Sequence, residues 1–237
     1  LENQDFRLRQ ALANLGDSID RAGDAQFVDD ITQQGGGLRG SIDTFFDAFE
    51  SFSARPNDAT TRQVVFQSAE ALVDQFHRVD SRFDLLQNEL DNQIREETDT
   101  LNDLIKELES INLEIARLEV DNPKSALDLR DLRQSKLEEI SEYGLIEAEE
   151  LADANGQIQM TLLDDTGNQQ VIVGPGQEAR QVYFDSTDRS FKLVGTGETL
   201  DLQAGLLPAV LDVRDRHVAD IRSKLDQVAN SLATEVN

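Results

Sequence analysis

Gly174-Pro175-Gly176-Gln177-Glu178-Ala179 has the Gly-x-Gly-x-x-Ala spacing that, after a strand, holds a pyrophosphate on the free N–H groups opening a helix. Here the next residues are Arg180-Gln181-Val182-Tyr183-Phe184, which read as strand, so the glycines read as a turn. Two acidic loops, Asp153-Ala154-Asn155-Gly156 and Asp164-Asp165-Thr166-Gly167-Asn168, offer the oxygen ligands that calcium takes. Neither has the alternating acidic spacing with a Glu six residues later, and both suit tight turns. His77 and His217 are the only histidines, and neither has His or Glu three or four residues away as a zinc site would. There is no Gly-x-Ser-x-Gly, no serine with an evident base, and no cysteine. The absence of cysteine removes thiol catalysis, iron–sulfur clusters, thiolate zinc sites and disulfides together. These residues give no catalytic, cofactor or metal site, and the protein reads as a non-enzyme.

Charge narrows the partners. Asp and Glu number 47 against 22 Lys and Arg, a formal net charge of −25. Nucleic-acid backbones and the cytoplasmic membrane surface are both negative and repel such a chain unless it carries a basic cluster. The densest basic stretch is Arg130, Arg133 and Lys136, and Asp131 and Glu138 accompany it. Nucleic acid and membrane are therefore not expected as partners. No apolar run approaches the ~18 residues of a membrane span, and Leu1 to Ala11 lacks the basic start and apolar centre of a secretory signal. At 38% hydrophobic and 5% aromatic residues, with no Trp, a thick globular core is not expected.

The elements that position these residues are mostly helical. From Asp5 to about Leu151 the pattern is helical, opening with Leu8, Leu12, Leu15 and Ile19 and interrupted at Gly35-Gly36-Gly37. A second segment carries Ile42, Phe45, Phe46, Phe49 and Phe52 on one stripe, which is either core or a contact for another subunit. Arg55-Pro56-Asn57-Asp58 then turns the chain, with Asn57 to Thr60 capping a third helix. From Leu90 that helix shows a 4-3 rhythm through Ile94, Glu97, Leu101, Leu104, Leu108, Ile111, Ile115 and Leu118, the signature of a supercoiled seam. Asn122-Pro123 ends it, and a shorter helix from about Lys124 to Glu142 carries Leu127, Leu129, Leu132, Leu137 and Ile140.

Alternation then replaces the helical period. Gln157 to Leu163 and Gln170 to Val173 predict one β-hairpin, and Gln181 to Phe184 with Ser190 to Val194 predict a second. Helix resumes after Gly205 with Leu207, Leu211, Arg214, Val218, Ile221, Leu225, Val228 and Leu232 on a matching seam. Two narrow apolar stripes separated by a β-unit predict an antiparallel pairing, with Leu104, Leu108, Ile111 and Ile115 facing Val218, Ile221, Leu225 and Val228. The expected fold is mainly α with a small β part, an elongated antiparallel helical bundle or coiled-coil rod with an inserted pair of β-hairpins. Residues 1–156 would form the first part of the rod, 157–200 the insertion and 201–237 the helix that completes it.

Three segments together resemble the flagellar hook-associated protein 1 family. The first runs from Phe45-Phe46-Asp47-Ala48-Phe49 through Arg55-Pro56-Asn57-Asp58-Ala59 and Thr60-Thr61-Arg62-Gln63-Val64-Val65 to Ala69-Glu70-Ala71-Leu72 and Phe76. The second is Leu127-Asp128-Leu129-Arg130-Asp131-Leu132, followed by Leu137, Glu139 and Ile140. The third is Gly205-Leu206-Leu207, Arg214-Asp215, Leu225-Asp226-Gln227-Val228-Ala229 and Leu232 to Asn237. The first is shared in part with hook-associated protein 3, so the combination carries the resemblance.

The resemblance implies a structural junction subunit that joins hook to filament, exported and extracellular. Its implied partners are identical subunits, the hook protein and the next hook-associated protein, with a dedicated export chaperone. A generic coiled-coil adaptor or adhesin stalk, which the heptads alone would also support, and a ligand-binding or enzymatic module on the β-unit are the alternatives. The family's terminal helices and later β domains are not in this sequence, and there is no initiator Met, so the expectation is a fragment that stays monomeric. Phe45, Phe46, Phe49, Arg130, Asp131, Arg214 and Asp215 are the candidate subunit or inter-helix contacts, the two Arg-Asp pairs because each lies in a family-like segment.

Overall fold

The structure is a computed structural model and describes residues 37–152, 154–163, 169–202 and 204–236. The stripe from Leu8 to Ile19, Asp153 and the acidic turn 164–168 lie outside them. Two compact units emerge. One takes in the described residues up to Asn88 together with those from Val213, and the other runs from Glu89 to Asp212.

In the first unit, α1 (Gly37–Ala54) leads through a short turn into α2 (Ala59–Leu118), and α5 (Val218–Val236) closes the chain. Asp58 caps α2, its Oδ1 accepting the Thr60 N–H at 2.8 Å, as the Asn57-Asp58 turn predicts. Leu38, Ile42 and Phe45 of α1, Leu72, Val79 and Phe83 of α2, and Val218, Ile221, Leu225 and Val228 of α5 are all buried. Arg222 on α5 reaches Asp80 at 2.7 Å and Asp84 at 3.0 Å. The α5 seam is therefore matched to the Asp80–Asp84 stretch of α2, not to Leu104–Ile115 as the rhythm alone suggested. A five-residue π-helical turn, Val213–His217, precedes α5 and contains Arg214 and Asp215.

The second unit carries the later part of α2, then α3 (Leu127–Ser141), six strands and α4 (Leu206–Asp212). β1 (Ile146–Glu150), β2 (Ile158–Leu163) and β3 (Gln169–Val173) form one antiparallel sheet in that order. β4 (Val182–Asp185), β5 (Ser190–Leu193) and β6 (Thr199–Leu200) form the other. Both predicted hairpins are present, and each has gained a third strand. β1 was concealed because Glu147, Ala148, Glu149 and Glu150 are all exposed and leave no apolar alternation. β6 is two residues long and too short to show a period.

The α2 seam is corrected as well. Burial follows Ile94, Thr98, Leu101, Ile105, Leu108, Asn112, Ile115 and Glu119. Ile94, Leu101, Leu108 and Ile115 lie on this buried line, whereas Glu97, Leu104, Ile111 and Leu118 give way to their C-terminal neighbours. Ile111 stays buried at the margin, Leu104 is half-buried and Leu118 is 55% exposed. The shift is physical: Thr98, Asn112 and Glu119 are polar, but each has a hydrogen-bond partner inside, so the buried face need not be the most apolar one.

Ile94, Leu101, Ile105 and Leu108 share one apolar core with both sheets, including Met160, Ile172, Val182, Phe191 and Leu193. Phe184 and Phe191 pair across β4 and β5 with ring centroids 5.4 Å apart. Leu108 is fully buried, so Leu108→Ala should destabilise the chain by about 2–4 kcal/mol in denaturant melts. A loss under about 0.5 kcal/mol would contradict its place in this core.

Candidate functional site: a buried carboxylate–guanidinium cluster

Where α2 ends, the helical bonding continues one step: the Glu119 N–H donates to Ile115 O at 2.9 Å. That places the Glu119 side chain inward, 2% exposed. The chain then reverses through Lys124, at φ +64°, and α3 begins. No side chain of the N-cap residue Ala126 caps α3. Glu119 supplies the missing acceptor, its Oε1 taking the Ala126 N–H at 3.2 Å where the helix dipole favours an anion.

Arg130, one turn into α3, faces the same carboxylate. Its Nε donates to Glu119 Oε1 at 2.9 Å and its Nη2 to Oε2 at 2.6 Å, a bidentate pair. The Arg130 Nη1 extends to Glu150 Oε2 on β1 at 2.8 Å. One guanidinium thus joins the end of α2, the start of α3 and the edge of the first sheet. Three residues on, Arg133 is buried beside it, its Nη1 donating to Gly156 O at 2.7 Å and to Asn112 Oδ1 at 3.3 Å. Gly156 has φ +79°, and a Cβ there would lie 2.3 Å from Glu119 Oε2 and 2.5 Å from Arg130 Nη2. The glycine lets the β1–β2 loop close over the cluster.

These partners set the ionisation. The Arg130 hydrogen bond holds the Glu119 carboxyl down at about 2, against burial, and the Ala126 N–H adds to it. Glu150 is lowered by the same guanidinium, and Arg130 is raised in turn, chiefly by Glu119. Burial pushes the Arg133 guanidinium down, with Arg130 adding to the effect. For a carboxylate depressed on folding, the stabilisation is complete above its unfolded value near 4.5 and is lost as pH falls through its folded value near 2. Thermal melts should therefore show a stability loss between about pH 4.5 and 2 that is smaller in Glu119→Gln. Equal acid sensitivity of the two proteins would contradict this.

Chemically the cluster is a fastener. Among the described residues no buried side-chain nitrogen or oxygen lacks a hydrogen-bond partner. Also among the described residues, no three His, Asp or Glu side chains converge as a metal site, and no helix is long and apolar enough to cross a membrane.

Of the sequence candidates, Arg130 is the one drawn into this cluster. Asp131, its neighbour, is exposed. Arg214 and Asp215 pair with each other at 2.5 Å on the π-helical turn. Phe45 is buried, Phe46 half-buried and Phe49 40% exposed, with Phe45 and Phe46 edge-to-face at 5.6 Å. Glu119, Arg133, Asn112 and Gly156 were missed. A signal existed in the i, i+3 spacing of Arg130 and Arg133, which puts both on one face of α3. That face is the inner one, so Leu132, on the far side, is 45% exposed against the usual pattern, and Leu127, the first residue of the helix, is 63% exposed.

Residues 26–237 match the family model described as the flagellar hook-associated protein FlgK helical domain. Flagellar hook-associated protein 1 of Bacillus subtilis is 25% identical over 134 residues, covering 54% of this chain and 26% of that protein. The protein of the same description from Salmonella typhimurium is 22% identical over 215 residues, covering 87% of this chain and 38% of that protein. Among solved structures, the flagellar hook junction protein FlgK from Burkholderia pseudomallei is similar in fold, with a TM-score of 0.64 at 16% identity over 86% of this chain and 37% of that one. The chain spans less than two fifths of the length of each of these relatives.

Proposed function

This chain belongs to the family of the flagellar hook-associated protein FlgK helical domain, and on that premise we propose that it serves as a structural part of the bacterial flagellum, within a junction subunit that connects hook to filament. Its work is holding and not catalysis. The observation that carries this reading is the family match from residue 26 to the last residue, across α1 to α5 and both sheets.

The buried cluster supports it physically: the Glu119–Arg130 pair lies inside the fold, where with Glu150 it fixes two helices to a sheet. The partners in this reading are identical subunits, the hook protein and the next hook-associated protein, each met through protein–protein contacts, with an export chaperone before assembly. The site of action is extracellular, on the flagellum, after export. The net charge of −25 favours solubility and opposes premature self-association.

Immunogold labelling of intact flagella with antibody raised against this chain tests the proposal. Gold confined to the boundary of hook and filament is the expected result. Gold along the filament, or none on flagella, would overturn it.

A further inference from the structure

Three side chains of α2 reach main-chain atoms of the β-unit. Asn102 Nδ2 donates to Val182 O at 2.7 Å while its Oδ1 accepts the Val182 N–H at 2.8 Å. Asn112 does the same for Ile158, donating to its carbonyl at 2.9 Å and accepting its N–H at 2.9 Å. Between them Glu109 Oε1 accepts the Ala179 N–H at 2.8 Å. Asn102, Ile105, Glu109 and Asn112 stand at 3-4-3 spacing and so share a helix face.

A carboxamide presents one acceptor and one donor from a single carbon, the pair that a neighbouring strand would offer to one residue. Asn102 therefore stands beside β4, and Asn112 beside β2, as a substitute edge strand. Both asparagines are buried, and Asn112 Oδ1 also accepts from Arg133 Nη1 at 3.3 Å. The outward side chains Glu149, Tyr183 and Val194 take no part in these bonds.

We infer that Asn102 and Asn112 are positioning residues that register one sheet each on α2 by reading main chain, so that the outward side chains of the β-unit are free to change without moving it. The inference does not depend on the flagellar reading, since it concerns how the unit from Glu89 to Asp212 is held together.

Amide hydrogen exchange on the full chain tests it. Asn102→Asp keeps the shape and the acceptor but sets a carboxylate oxygen against the Val182 carbonyl, and exchange at the Val182 amide should quicken about tenfold at neutral pH, with the amide of Ala48 in α1 unaffected. Lowering the pH to about 4 protonates a fraction of the new carboxyl, and its O–H should bring protection back toward that of the unaltered chain at the same pH. Asn112→Ala, which sets no carboxylate beside the Arg133 guanidinium, should quicken exchange at the Ile158 amide likewise. A variant with Glu149, Tyr183 and Val194 all changed to Ser should keep both amides within about twofold of the original. Unchanged protection in Asn102→Asp, or no recovery on acidification, would overturn the inference, as would equal loss in the outward-face variant. Should Asn102→Asp fail to fold at neutral pH, the same recovery or its absence is read from circular dichroism.

Discussion

Replacing Arg130 by alanine should lower the stability of the folded chain by about 3–5 kcal/mol, because it leaves the Glu119 carboxylate buried without its bidentate partner. The Glu119 side chain is 1% exposed and that of Arg130 17%, so water cannot take over the lost bonds. The size of the effect measures the orphaned charge and not the net worth of the pair. Glu119→Leu combined with Arg130→Leu should therefore recover most of the loss, since apolar replacements of similar size often match a buried ion pair. Urea melts of the two variants decide it. A loss below about 1 kcal/mol for Arg130→Ala would reduce the contact to an ordinary surface pair.

Gly205→Ala should be the most disruptive small substitution, costing about 4 kcal/mol or more and preventing folding if the chain is marginal. Gly205 has φ +104°, a conformation that L side chains rarely adopt, and an added Cβ would stand 2.5 Å from the Tyr143 carbonyl carbon and 2.6 Å from the Gly144 nitrogen. Those are backbone atoms, so no rotamer change relieves the clash. The approach is fixed by the Leu206 N–H, which donates to Glu142 O at 2.7 Å and ties the start of α4 to the end of α3. Gly176→Ala is the control, since its φ is +75° but its Cβ would meet nothing within 4 Å. If thermal melts place the two variants together, the backbone approach at Gly205 is not what matters.

How much of this was legible in the sequence depended on whether burial and hydrophobicity coincided. They coincide on α5, where Val218, Ile221, Leu225 and Val228 are all buried. They coincide in β2, β4 and β5, whose alternation marked both hairpins. They part on α2 beyond Leu90, where apolar counting chose Ile111 over Asn112 and Leu118 over Glu119. Asn112 and Glu119 are buried because Ile158 and Arg130 satisfy them, and those partners lie 46 and 11 residues away. No local pattern announces a partner at that distance. The same holds for α3, whose arginines face inward because Glu119 and Gly156 wait for them, and for β1, whose residues Glu147 to Glu150 are exposed.

Family resemblance and periodicity also divided the work. The Phe45 to Phe76 and Leu225 to Asn237 segments pointed to the family that residues 26–237 match, whereas heptads alone would have allowed any coiled coil. Periodicity supplied the helices but assigned the wrong partner to α5, because two seams of equal rhythm do not state which stretch of a 60-residue helix they meet. Arg222, with Asp80 and Asp84, states it by charge.

The proposed role, joining hook to filament, belongs to the protein that contains this chain. Electron microscopy of the source bacterium with that gene deleted is its most direct test. Hooks without filaments, flagellin released as monomer into the medium, and filaments restored by the full-length gene are the expected results. Cells that keep full-length filaments and swim normally after the deletion would contradict it.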